Sequence, residues 1–186
     1  MTEIYFVRHS ISDLSVKDDL SRPLTKEGLI KAEELLTIFD KIHIDLIFSS
    51  PYKRTVDTVE PIALNKKLDI KIEEDFRERK IDGWIENFNE YSKKQWEDFG
   101  YKSGKGESLS EVQSRNIKAL EKILADNTDK RIIIGTHGTA LSTILNYYDN
   151  TYQFNDFTKI VNIMPYVVKM EFEKNDYLGR MDILRE

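Results

Sequence analysis

The sequence predicts an α/β fold, a three-layer sandwich in which helices flank a mostly parallel central sheet. Three observations carry that prediction. Short apolar runs recur at Ile4–Val7, Asp45–Phe48 and Arg131–Gly135, rich in the β-branched and aromatic residues that suit a pleated strand. Each run is followed by a stretch whose apolar residues recur at helical spacing. Strands that alternate with helices form a doubly wound sheet with helices on both faces.

In chain order, Tyr5, Phe6 and Val7 form the first strand, and the polar run from Arg8 to Asp13 ends it. Leu24-Thr25-Lys26-Glu27-Gly28 reads as a helix start, with Thr25 as N-cap and Glu27 in the first turn; Leu29, Ala32, Leu35, Leu36 and Phe39 supply the apolar stripe. After the second strand, Ser50 is expected to cap a helix and Pro51 to take its first position, where a missing N–H costs nothing. Between Gly83 and Gly106 the pattern changes. Trp84, Tyr91, Trp96 and Tyr101 sit among mixed charges, and Lys102–Gly106 is loop-like, so a small helical insert with a mobile end is expected at about 84–106. Leu109, Val112, Leu120, Ile123 and Leu124 mark a further amphipathic helix, and Gly138 opens the helix that holds Leu141, Ile144 and Leu145. Val167–Phe172 and Met181–Leu184 read as a terminal hairpin around Asn175-Asp176. A chain of 186 residues suits a single domain over 1–186.

Lys and Arg number 28 against 33 Asp and Glu, a net charge of −5, which argues against non-specific nucleic-acid binding while leaving room for a local basic pocket. The absence of cysteine removes disulfides, thiolate metal sites and thiol nucleophiles together. The N-terminus carries a strand pattern rather than a signal peptide, and no stretch approaches the roughly eighteen apolar residues of a membrane span. The expectation is a cytoplasmic protein, monomeric or weakly homodimeric, with neither membrane nor nucleic-acid partner.

The three strand ends carry Arg8-His9, then Ser49-Ser50-Pro51-Tyr52-Lys53-Arg54, then Thr136-His137-Gly138. In a parallel sheet these ends share one edge, and that edge is where ligands bind. Taken singly, Arg8 reads equally well as a surface ion pair and His9 as a partly buried, hydrogen-bonded ring. The convergence of two histidines and two arginines favours a site. Arg54 falls in the first turn of its helix, where free N–H groups and the dipole already attract an anion. Two guanidiniums beside that helix end describe a phosphate pocket. A histidine in such a pocket suggests attack by imidazole on phosphorus through a phosphohistidine. The leaving alkoxide then needs an acid, and Glu78, within Asp75–Gly83, is the best candidate; a solvated charge cluster with Arg77 and Arg79 is its plain alternative.

In this order, the chain resembles the histidine phosphatase superfamily, also called phosphoglycerate-mutase-like, and specifically its phosphatase branch. The matching segments are Arg8-His9, Leu24-Thr25 with Gly28, the Ser49-Ser50-Pro51 block through Arg54 and Thr55 to Thr58, Arg77-Glu78 up to Gly83-Trp84, Gly106-Glu107-Ser108, and His137-Gly138. The resemblance implies His9 as the phosphorylated nucleophile, Arg8, Arg54 and His137 as phosphate holders, and Glu78 as proton donor and later base. It also implies a substrate-binding place beside the pocket for Glu107, and the insert lying over the active site. Two departures stand out. The family usually has Gly after the histidine and often an acidic residue or Gln next; Ser10 and Ile11 stand here, and Ser10 is the expected hydroxyl donor to a phosphate oxygen. The family's later Asn has no clear counterpart, and Ser15 is the substitute considered.

A metal hydrolase is the first competing reading, since His9, His137 and Glu78 make a two-His, one-carboxylate set. Arg8 and Arg54 argue against it, because fixed positive charges repel a divalent cation and stabilise a phosphomonoester dianion. No cofactor or metal is therefore expected. A catalytically silent phosphate-binding module is the second, and mutase-type phosphoryl transfer the third. The chain is shorter than the usual mutases of the family. The expected function is hydrolysis of a small phosphorylated metabolite.

Overall fold

Alternation along the first strand, β1 (Thr2–Arg8), sets the layers of the molecule. Ile4 and Phe6 pack into one core, Tyr5 and Val7 into a second on the opposite face. A strand buried on both sides is what a parallel sheet requires at its centre. The computed structural model describes residues 1–83 and 85–184, so Trp84 lies outside the described residues.

The further strands are β2 (Leu46–Ser49), β3 (Ile70–Ile72), β4 (Arg131–Thr136), β5 (Tyr166–Glu173) and β6 (Asp176–Leu184). They form one sheet in the order β3-β2-β4-β1-β5-β6, parallel from β3 through β1 and antiparallel for β5 and β6. Register aligns Arg8 with Thr136 and Ser49 with Gly135. The C-terminal ends of β1, β2 and β4 therefore stop in one row.

On one face lie α1 (Lys26–Glu34), α2 (Leu36–Phe39) and α3 (Lys53–Lys66), which contribute Phe39, Val59 and Ile62. On the other lie α4 (Phe88–Glu97), α5 (Leu109–Asp126), α6 (Gly138–Tyr148) and α7 (Phe154–Ile160), which contribute Trp96, Leu120, Ile144 and Phe157. Each such fully buried side chain contributes about 1.5–3 kcal/mol relative to exposure, so both layers hold the sheet rigidly. The result is the three-layer α/β sandwich with a mostly parallel sheet. Among the described residues, no helix is long and apolar enough to cross a membrane.

Thr25 caps α1 as expected, its hydroxyl accepting from Gly28 N at 2.9 Å. Gly28 faces inward, where a Cβ would meet Ile11 O at 2.2 Å, so this glycine lets the helix sit directly on the chain that follows His9. Several expectations need correction. The single helix expected through Phe39 is two, broken at Leu35, and Leu29 is 47% exposed because the inward face of α1 is Gly28 and Ala32. Ser50 does not cap α3; that helix begins at Lys53, behind Tyr52. β6 starts at Asp176 rather than Met181, and both β3 and α7 are additional to the expected elements.

Candidate active site

Arg8 and His9 leave the end of β1 with only 5% and 8% of their surface exposed. Arg8 Nη1 donates to Ile160 O at 2.5 Å and Ile163 O at 2.8 Å, so the end of α7 fixes the guanidinium. Its other flank lies on Gly138, where a Cβ would stand 3.1 Å from Nε. Arg8 Nε is buried and has no partner among the described residues. Burial pulls the guanidinium down to about 10, against the attraction of Glu78, and the group stays cationic at neutral pH.

His9 Nδ1 stands 2.7 Å from Ser10 O. A carbonyl only accepts, so the proton is on Nδ1 and the Nε2 lone pair is free. Burial, then the positive charges of Arg54 and Arg8, hold His9 well below the usual histidine range, and the ring is neutral at neutral pH. His137, the N-cap residue of α6, stands edge-on to His9 with ring centroids 5.3 Å apart. Ser50 Oγ lies 2.8 Å from His137 Nε2 and accepts from Tyr52 N at 3.3 Å, which leaves the Ser50 O–H to donate to the ring. That assignment puts the proton on His137 Nδ1, a buried atom without a partner among the described residues. Burial, with Arg54, His9 and Arg8, holds this ring neutral as well.

Arg54 sits in the first turn of α3, 3% exposed, its Nη1 donating to Asp19 O at 2.6 Å and standing 3.1 Å from Asp19 Oδ1. The Tyr52 ring lies 4.8 Å from its guanidinium carbon. Thr58, one turn on, accepts from Ser10 N at 2.9 Å and donates to Arg54 O at 2.7 Å, and so ties α3 to the end of β1. Ser10 is fully buried, its hydroxyl without a partner among the described residues, and its backbone is not in the left-handed region. A side chain is therefore accommodated where relatives carry glycine.

Glu78 bends onto the start of α6. Its Oε1 accepts from Arg79 N at 2.8 Å and Ala140 N at 3.1 Å, and its Oε2 from Thr139 N at 3.1 Å. Glu107 is placed differently from expectation: it holds the chain that carries Glu78 and does not line the cleft. Arg115 donates to both its oxygens at 2.8 and 3.0 Å, Arg77 donates at 3.1 Å, and Lys80 N at 2.9 Å. Burial works to push the Glu107 carboxyl up, and the bonds from Arg115 and Lys80 outweigh it. Arg115 also donates to the carbonyls of Asp75, Arg77 and Glu78. Ser15 bonds only with Asp13 nearby and is also away from the cleft.

Arg54, Tyr52, Glu78 and Thr139 border a cleft of about 670 Å³, closed elsewhere by Asp19, Arg22, Arg79 and Phe88. Phe88 begins α4, the helix within the expected insert. Among the described residues, no three of His, Asp and Glu stand together as a metal-ligand set. Ser50, Arg79 and Arg115 were missed from the sequence. Arg79 adjoins the Glu78 motif, but the acceptors of Ser50 and Arg115 come from distant segments and leave no local signal.

A family model described as "Histidine phosphatase superfamily (branch 1)" matches residues 4–177. No curated protein matches the chain. Among solved structures, YhfR of Bacillus stearothermophilus superposes with a TM-score of 0.80 at 20% identity, over 96% of this chain and 95% of that one. A mycobacterial glucosyl-3-phosphoglycerate phosphatase with VO3 gives 0.79 at 15%, over 98% and 97%. A mutant phosphoserine phosphatase from Entamoeba histolytica, in complex with phosphoserine, gives 0.77 at 19%, over 99% and 96%. At such identities the likeness is one of fold.

Proposed function

The chain belongs to the histidine phosphatase superfamily, and from that premise we propose that it is a metal-independent phosphomonoesterase acting through a phosphohistidine on His9. Its substrate is a small phosphorylated metabolite. The observation that carries the proposal is the state of His9: a neutral ring, proton committed to Ser10 O, Nε2 free, with Arg8 and Arg54 beside it. The phosphatases among the structural neighbours catalyse, by name, the same class of reaction.

In the first step Nε2 attacks phosphorus, the ester P–O bond breaks, and the leaving oxygen takes a proton from Glu78. In the second, water gives a proton to Glu78, its oxygen attacks phosphorus, and the P–N bond breaks to release phosphate. Arg8, Arg54 and the His137 Nδ1–H donate to the phosphoryl oxygens as charge develops. Ser10 offers its unpartnered hydroxyl to the same group, and Glu107 with Arg115 positions Glu78. A cytoplasmic location and a monomer or weak homodimer belong to the same proposal.

A screen of phosphorylated metabolites tests this, with hydrolysis followed before and after EDTA and with 3-phosphoglycerate assayed for both hydrolysis and isomerisation. Hydrolysis insensitive to EDTA is expected. Loss of turnover on chelation, restored by a divalent ion, would contradict metal independence, and isomerisation without phosphate release would indicate a mutase.

A further inference from the structure

We propose that the esters this cleft selects carry a carboxylate on the leaving group, and that Arg79 binds it. This rests on the phosphatase reading and deepens it. Arg79 lines the cleft yet is only 4% exposed. Its Nη1 donates to Oε1 of Gln95, a neutral group, its Nε is buried without a partner, and no carboxylate among the described residues lies within ion-pair distance. A buried guanidinium without a counter-charge is costly, and such a group is retained where a ligand supplies the charge.

The surroundings are built to hold the side chain in place. Gln95 Nε2 donates to Tyr101 O at 2.8 Å and Glu107 O at 3.0 Å, which turns Oε1 toward Arg79. The rings of Phe88 and Tyr91 each lie 5.3 Å from the guanidinium carbon. Position in the chain supplies the rest. Glu78 turns toward α6 and its neighbour Arg79 toward α4, along the same cleft. If Glu78 protonates the leaving oxygen, the group within reach of Arg79 is the leaving group itself. Its charge is a single one, because one guanidinium with a neutral companion matches a monoanion; Arg22, the other cleft arginine nearby, is tied to Asp19 at 2.9 Å and Val16 O at 2.8 Å. The planar fork of arginine suits a carboxylate.

The test compares kcat/KM for two matched pairs, 3-phosphoglycerate with glycerol 3-phosphate and phosphoserine with phosphoethanolamine, in the native protein, Arg79→Met and Arg79→Lys. The native protein should favour the carboxylated member of each pair by about tenfold or more, since a site built around a polar group rejects analogues that lack it. Arg79→Met should bring that ratio near one, and Arg79→Lys should keep part of it. A native ratio near one overturns the proposal even if neither variant folds, as does a preference that survives in folded Arg79→Met. Hydrolysis of p-nitrophenyl phosphate, which has no carboxylate, separates the two levels: with it intact and no preference, this proposal alone fails, whereas no hydrolysis of any ester removes the phosphatase reading and this proposal together.

Discussion

His9 attacks phosphorus only as a neutral ring, and the residues around it secure that state by opposite means: two nearby guanidiniums disfavour the imidazolium, while Ser10 O orients the neutral tautomer. Glu78 is the partner whose proton matters only when the leaving group is a poor one. Glu78→Gln should therefore lose on the order of 10²-fold or more in turnover on alkyl phosphates and much less on p-nitrophenyl phosphate. Comparison of kcat for the two substrate types checks this, and equal losses would reassign the acid. Arg8, His9, Arg54 and His137 were legible because each sits at a strand end or first turn that local pattern predicts. Ser50 was misread as a cap, since its partner His137 lies 87 positions away and only the sheet brings them together.

At the level of elements, three strand ends and two helix starts converge because β1, β2 and β4 run parallel and in register. Their apolar runs made that much readable. β3 was not, because a three-residue edge strand with only one half-buried residue carries no pattern. Nor was α7, whose contribution to the site is a pair of backbone carbonyls that hold Arg8. Gly138 joins strand, helix and guanidinium. Gly138→Ala places a Cβ 3.1 Å from Arg8 Nε and forces the side chain to shift by a few tenths of an ångström. Ala gains up to about 1 kcal/mol of helix propensity in compensation. Thermal melting should thus move by only a few degrees, while turnover falls about tenfold or more through misplacement of Arg8. Unchanged turnover would mean that Arg8 tolerates the shift.

Across the whole molecule, burying two neutral histidines links stability to pH. Folded His9 and His137 have depressed affinity for protons, so below the ordinary histidine pKa the unfolded chain binds protons that the native state does not. Their contribution is fully present above about pH 6.5 and is lost as pH falls, by about 1.4 kcal/mol per pH unit for each ring. Urea unfolding between pH 7.5 and 5.5 should show that decline, shallower in His137→Gln; a flat profile would show the rings to be protonated in the fold. The same closed arrangement, a neutral imidazole between guanidiniums at the sheet edge, underlies the claim of a phosphohistidine. That claim is tested most directly by brief incubation with a ³²P-labelled substrate and acid-free quenching. Native protein should carry an acid-labile, base-stable label, His137→Ala the same label acquired more slowly, and His9→Ala none; label on His9→Ala would contradict the account.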